Sequence, residues 1–330
     1  MKPMGAFMKA DLKTIERKPY DGTMIKPREF VEVKNHAPLH AVDHKLFNVL
    51  LQNAWGKDLA DSQKSHTIDL SRVYDAALPS KRPEHLEDAV QRLQATTVQV
   101  RRDNGTWLSM PLLSTCTIVQ THKTKTLTYH FPQQADEVFK NSRLFASLDT
   151  SLIGSFDSKY ALLLYQIIAQ RAGLEKRVEV MALNDLRALL GVKSGSYKLY
   201  SKLKERVIDP AVKEVNQVAP FNVKIEPIRK KPIRECQVSW WPKNASEAEA
   251  ALTENLKHSA GRAARRDGNV EFLVRASGLL ETTIQQAMEI RPNDAPSALE
   301  ADWQRLVEAE GKTPDDVDAH FLEFCSDKPQ

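Results

Sequence analysis

Cysteine is nearly missing from these 330 residues: Cys116, Cys236 and Cys325 are an odd number, widely separated, and no Cys-x-x-Cys pair exists. That excludes a disulfide framework and a cysteine-rich zinc module, and it points to a reducing compartment. No Gly-x-x-x-x-Gly-Lys-[Ser/Thr] run is present, so the chain has no phosphate-cradling loop of an NTPase. No apolar stretch approaches the ~20 residues of a membrane span. Residues 1–18 lack the apolar stretch and small-residue cleavage site of a secretory signal. No two histidines flank a single hydrophobic residue near a tyrosine, which leaves metal-dependent DNA nicking without ligands. His36, His40 and His44 stand four apart, but Pro38 interrupts the run and no carboxylate pair accompanies it. They read as surface or capping residues rather than zinc ligands. The expectation is a soluble cytoplasmic protein with no enzymatic activity, cofactor, metal or membrane contact.

What is present is ordinary in amount and unusual in placement. Hydrophobic residues at 42% supply enough side chains for two cores and a third small body, and the net charge is only +4. Between Lys193 and Arg234, however, eleven basic residues face four acidic ones, leaving +7. From Glu281 to the end, twelve acidic residues face four basic ones, leaving −8. A basic middle beside an acidic tail fits a polyanion-binding body with an appended segment of different purpose.

Periodicity suggests one order of elements run twice. Residues 1–29, with Pro3, Pro19 and Pro27, read as an extended arm. Helices are expected over 43–55, 69–78 (capped by Asp69) and 80–95 (Ser80 cap, Pro83 at the first turn). Strands follow over 97–102 and 107–113 around the turn Asp103-Asn104-Gly105, then over 115–121 and 126–131 around a turn bearing Lys123 and Lys125. A helical connector over 135–148 leads to the second pass. There, helices are expected over 158–172, 182–190 and 196–217, the last bent at Pro210. Strands over 222–227 and 233–240 flank Arg229-Lys230-Lys231-Pro232. Three helices then a hairpin is the order of a winged-helix module. The fold class expected is α+β: two tandem winged-helix domains and a mostly helical C-terminal appendage. The boundaries are an arm (1–29), a first module for dimerisation and DNA (30–150), a second as main DNA reader (151–242), and an acidic helical region (243–330).

The last helix of such a trio buries one face and offers the other to a groove. Leu199, Leu203 and Val207, with Tyr200 and Ala211, are spaced to form the buried stripe. Lys198, Ser201, Lys202 and Glu205 lie opposite, with Lys204 and Arg206 on the flanks. Lysine, arginine and serine contact phosphates or base edges, and a carboxylate accepts from cytosine. Arg229, Lys230, Lys231 and Arg234 make the hairpin a cationic wing suited to a phosphate backbone. The first module's third helix carries mixed charge, so it either docks on DNA through Lys81, Arg82 and Arg92 or serves mainly in protein contacts.

These residues resemble a known family. Ser158-Lys159-Tyr160-Ala161-Leu162-Leu163-Leu164-Tyr165 is similar to the SKYA-x-x-LY helix of the winged-helix Rep proteins, the replication initiators of iteron-containing plasmids. The similarity continues through 183–192, Tyr197-Lys198 and 203–216, which ends in a Pro-Ala-x-x-Glu-Val-Asn signature, and through the wing at 222–223 and 228–234. In the first module it is carried by 93–100 and 110–114. The resemblance implies binding of directly repeated origin DNA as a monomer through both modules. It also implies help in opening the neighbouring duplex, and recruitment of the host initiator and replicative helicase. A homodimer formed through the first module would repress the protein's own promoter. A dimeric repressor without an initiating role needs the same DNA-reading surface and is the alternative; a site-specific nickase is a third, enzymatic reading.

Overall fold

The structure is a computed structural model that describes residues 14–20, 22–33, 39–56, 59, 61–78, 82–101, 105–229, 232–257, 281–291, 299, 303 and 317–327. Two compact units divide the chain, residues 1–251 and 252–330.

Elements of the first unit follow in chain order β1 (Thr23–Pro27), α1 (Arg28–Val31), α2 (Ala41–Ala54), β2 (His66–Asp69), α3 (Leu70–Ala76) and α4 (Pro83–Ala95). Next come β3 (Thr97–Arg101), β4 (Trp107–Pro111), β5 (Cys116–Gln120), β6 (Lys125–Tyr129), α5 (Gln133–Asn141), β7 (Phe145–Asp149) and α6 (Thr150–Ser155). Asp69 caps α3 by accepting from Ser71 N at 2.7 Å, and Pro83 opens α4. Arg82 is the residue ahead of α4, while the expected Ser80 cap and the turn residues Asp103 and Asn104 lie outside the described residues. β3 and β4 pair from Thr97↔Pro111 to Arg101↔Trp107. β2, β6 and β5 form an antiparallel sheet in that order.

Two sequence expectations fail here. The connector is helical only to Asn141, since residues 145–149 form a strand paired along its length with Thr23–Pro27. The chain at 23–27 is accordingly a buried strand rather than part of an extended arm: Met24, Ile25 and Lys26 are all buried. Phe-Ala-Ser-Leu-Asp has no strong preference of its own, and a partner more than a hundred residues away decides its state.

The second pass is α7 (Lys159–Arg171), β8 (Val178–Ala182), α8 (Leu183–Leu189), a long helix over 200–218, β9 (Phe221–Pro227) and β10 (Glu235–Pro242). The sheet order is β8-β10-β9, antiparallel throughout. With a short strand between the first and second helices and a hairpin after the third, this is a winged-helix module. The fold is α+β, with both modules built on one continuous apolar core from Met24 to Trp240. α11 (Ala245–Lys257) follows.

α7 is the spine. Ser158 Oγ caps it by accepting from Tyr160 N at 3.2 Å, and Leu162, Leu164, Tyr165 and Ile168 are buried. Tyr165 OH accepts from Asp149 N at 2.9 Å while its ring stacks on Phe221 at 5.9 Å, so one side chain touches β7 and β9. At the other end Arg171 donates to Glu32 (2.8 Å) and to Glu179 (2.7 Å), tying the stretch after α1 to β8.

In the second unit, Ala287, Leu299, Trp303, Phe321 and Cys325 form a small core. The helices Glu281–Ile290 and Val317–Asp327 contribute to it, and Trp303 Nε1 donates to His320 Nδ1 at 2.9 Å. No helix among the described residues is long and apolar enough to cross a membrane.

Candidate nucleic-acid interface

The long helix of the second module has three parts: α9 (Tyr200–Leu203), a π-helical turn (Lys204–Ile208) and α10 (Asp209–Val218). Pro210 explains the middle part. It carries no N–H for the carbonyl four residues back, and its ring clashes with an ordinary α turn there. Widening the turn, so that Asp209 N bonds Lys204 O five residues back, passes the ring without ending the helix. At the bend expected at Pro210 the helix thus carries a bulge spread over the preceding turn.

Leu203, Val207, Ala211 and Val215 are buried along one side, as their spacing requires. Leu199 is not among them; it is 68% exposed. The helix begins at Tyr200 instead of Ser196 because the turn before it cannot be helical: Gly195 has φ +80° and Tyr197 has φ +46°. Gly195 tolerates this region freely, and at Tyr197 it is held by Arg187, whose Nη1 donates to Tyr197 O at 3.0 Å and whose Nη2 donates to Ser196 O.

Most of the polar side is open to solvent. Lys198 sits in the turn ahead of the helix, and Ser201, Lys202, Glu205 and Arg206 are exposed on it; Lys204 is half-buried. Glu205 lies between two cations, at 2.9 Å from Lys202 Nζ and 3.3 Å from Arg206 Nε, and the hydrogen bond from Lys202 holds its carboxyl below the ordinary value. Lys204 pairs with Asp209, with Nζ 2.6 Å from Oδ2. Exposed pairs of this kind contribute ~1 kcal/mol or less, so their cations exchange readily onto phosphate.

The hairpin β9–β10 stands beside this helix. Arg229 and Arg234 are exposed at its tip, with Ile228 N donating to Glu235 O at 3.2 Å below them; Lys230 and Lys231 lie outside the described residues. Lys224 on β9 pairs with Glu226 at 2.9 Å. Trp240 packs in the core, and Trp241 is partly exposed.

In the first module Arg82, Lys123 and Lys125 are exposed, and Lys81 lies outside the described residues. Arg92 has an internal role: Nε and Nη2 grip both oxygens of Asp43, at 2.7 and 2.8 Å, and the Asp43 side chain is fully buried. Its guanidinium is a structural tie between α4 and α2. A carboxylate 49 residues away is invisible to helix periodicity, so sequence alone assigned Arg92 to DNA. Among the described residues no group of three His, Cys, Asp or Glu side chains is arranged to hold a metal.

The signature after the bulge has its own geometry, which sequence reasoning matched without assigning. Glu214 Oε1 accepts from Asp157 N (2.6 Å) and Ser158 N (3.2 Å), covering the start of α7. Asn216 grips Val223 of β9 through both its amide atoms. Arg187, Glu214 and Asn216 therefore fix the start, the middle and the wing side of one helix–hairpin unit.

The family models match this architecture in the same order. "Initiator Replication protein, WH1" covers residues 23–169, and "Initiator Rep protein, WH2" covers residues 182–234. The chain belongs to the Rep family of winged-helix replication initiators. The first match starts at β1, so the Rep module includes the strand that the sequence placed in an arm. The crystal structure of Pi initiator protein in complex with iteron DNA resembles this Rep chain with a TM-score of 0.47 at 14% identity, over 68% of this chain and 98% of that one. Domains 2 and 3 of RctB resemble it with a TM-score of 0.37 at 11% identity, over 61% of this chain and 80% of that one. No curated protein sequence matches it.

Proposed function

We propose that this Rep protein starts replication of a plasmid by binding directly repeated duplex sequences (iterons) at the origin as a monomer. The observation that carries the reading is the exposed cationic side of the helix over 200–218, set beside a hairpin tipped with Arg229 and Arg234. In this reading Lys198, Ser201, Lys202, Lys204, Glu205 and Arg206 meet the major groove, while Arg229, Lys230, Lys231 and Arg234 hold phosphates. Lys81, Arg82, Lys123 and Lys125 add weaker contacts from the first module.

Bound protein aids opening of the adjacent duplex and recruits the host initiator and replicative helicase. A homodimer made through the first module represses the protein's own promoter. The protein works in the bacterial cytoplasm without cofactor or enzymatic step, and residues 243–330 serve a purpose other than DNA reading.

The test is a plasmid carrying the gene and its flanking DNA as sole origin, transformed with and without a frameshift in the gene. Transformants only from the intact clone are expected. Equal numbers from both leave the dimeric repressor as the better reading.

A further inference from the structure

The exposed Leu199 is held out by construction. Its backbone (φ −82°, ψ 133°) is that of a helix cap, and its carbonyl accepts the first helical bond, from Leu203 N at 3.0 Å. Starting the helix earlier would bring Leu199 toward the Leu203 stripe, but the left-handed Tyr197 and the two bonds from Arg187 prevent it. Strain at Tyr197 and a clamp from α8 thus deliver a large apolar side chain to solvent. It emerges where the helix begins, with the exposed polar side chains of Lys198, Ser201 and Lys202 around it in sequence. Among the described residues nothing covers it.

We propose that Leu199 reads a thymine, packing its isobutyl group on the 5-methyl of that base in the major groove. The inference rests on the helix over 200–218 being the groove helix. The first residues of a groove helix meet base edges, and the thymine methyl is the apolar feature that distinguishes this base there. The surrounding lysines and serine supply charge and hydrogen bonds; Leu199 supplies shape. Its contact releases no counterion, so it changes preference among sequences without changing salt dependence.

The full-length protein and L199A are each used to select binders from a random duplex pool, and every thymine of the wild-type site is then replaced singly by deoxyuridine. One replacement is expected to weaken wild-type binding about four-fold, the effect of one buried methyl. L199A is expected to bind the thymine duplex at least four-fold more weakly than wild type and to ignore that replacement. L199M is expected to restore the discrimination. Random-duplex affinity and the salt slope stay unchanged in both variants. If the deoxyuridine effect persists in L199A, or no replacement matters, the thymine contact is wrong while the groove helix stands. If no duplex is enriched at all, the groove assignment falls with it, which separates the two failures.

Discussion

Asn216 and Val223 hold each other by two hydrogen bonds: Val223 N donates to Asn216 Oδ1 at 2.7 Å, and Asn216 Nδ2 donates to Val223 O at 3.0 Å. The side chain imitates a neighbouring strand, so the helix over 200–218 and the first strand of the wing are held as one piece. Removing it strands two backbone groups of a residue that is 1% exposed. N216A is expected to lose about 1–3 kcal/mol of stability in urea unfolding. It should lose more affinity for the specific site than for random DNA, because the positions of helix and wing become uncoupled.

Arg92 and Asp43 provide a second test of structure against sequence. R92A removes both guanidinium bonds from a fully buried carboxylate and leaves it His40 N, which donates to it at 2.8 Å, and the nearby charge of Lys159. Unfolding experiments should register a loss of roughly 3 kcal/mol. Binding by whatever protein remains folded should keep its salt slope. A stable R92A with a shallower slope would return Arg92 to the DNA surface.

On the groove side, K202A and R206A are each expected to weaken specific binding by about 1–3 kcal/mol. R229A, on the wing, should weaken binding to all sequences alike and reduce the salt slope by about one. Fluorescence anisotropy over a series of salt concentrations, with specific and scrambled duplexes, distinguishes the two patterns.

Lys26 predicts a pH dependence. It is enclosed by β1, α2 and α7, donates to Asn48 Oδ1 (2.8 Å) and Gln166 Oε1 (2.7 Å), and lies 5.2 Å from the Phe47 ring centre. Burial pulls its ammonium down to about 7 from 10.5. Between those values the unfolded chain binds the proton and the folded one does not, so stability rises with pH across that window. Below about 7 both states are protonated and the contribution is constant. Wild type and K26M, unfolded in urea from pH 6 to 9.5, should differ by an amount that moves in favour of wild type as pH rises above 7.

Truncation is best placed by hydrogen bonds rather than by composition. Lys243 N donates to Pro220 O (3.1 Å) and Asn222 Nδ2 donates to Glu247 Oε1 (3.2 Å), so the start of α11 is joined to the second module. A chain ending after Lys257 is expected to bind DNA as the full protein does, by gel shift. One ending at Pro242 should also be less stable.

Much of this was legible in the residues. The stripe of Leu203, Val207 and Ala211 and the Asp69 cap follow from local pattern. The failures have different causes. Leu199 was assigned to the core by extending a period backward through Tyr197, whose positive φ no periodicity reveals. β7 was read as helix because its partner is β1, and Arg92 as a DNA ligand because its partner is Asp43. β8 was overlooked because, exposed on much of its length, it lacks a full apolar face. Lys26 fell within the expected arm, and β1, α2 and α7 enclose it instead. Partners distant in the chain decide β7, Arg92 and Lys26.

The most direct measurement is photocrosslinking from a benzoylphenylalanine placed at Ser201, on the full-length protein bound to DNA flanking its gene. The account predicts crosslinks to bases at the same place in each of several directly repeated units. Crosslinks that ignore the repeats, or none at Ser201 while a probe at Glu137 reaches the DNA, would contradict it.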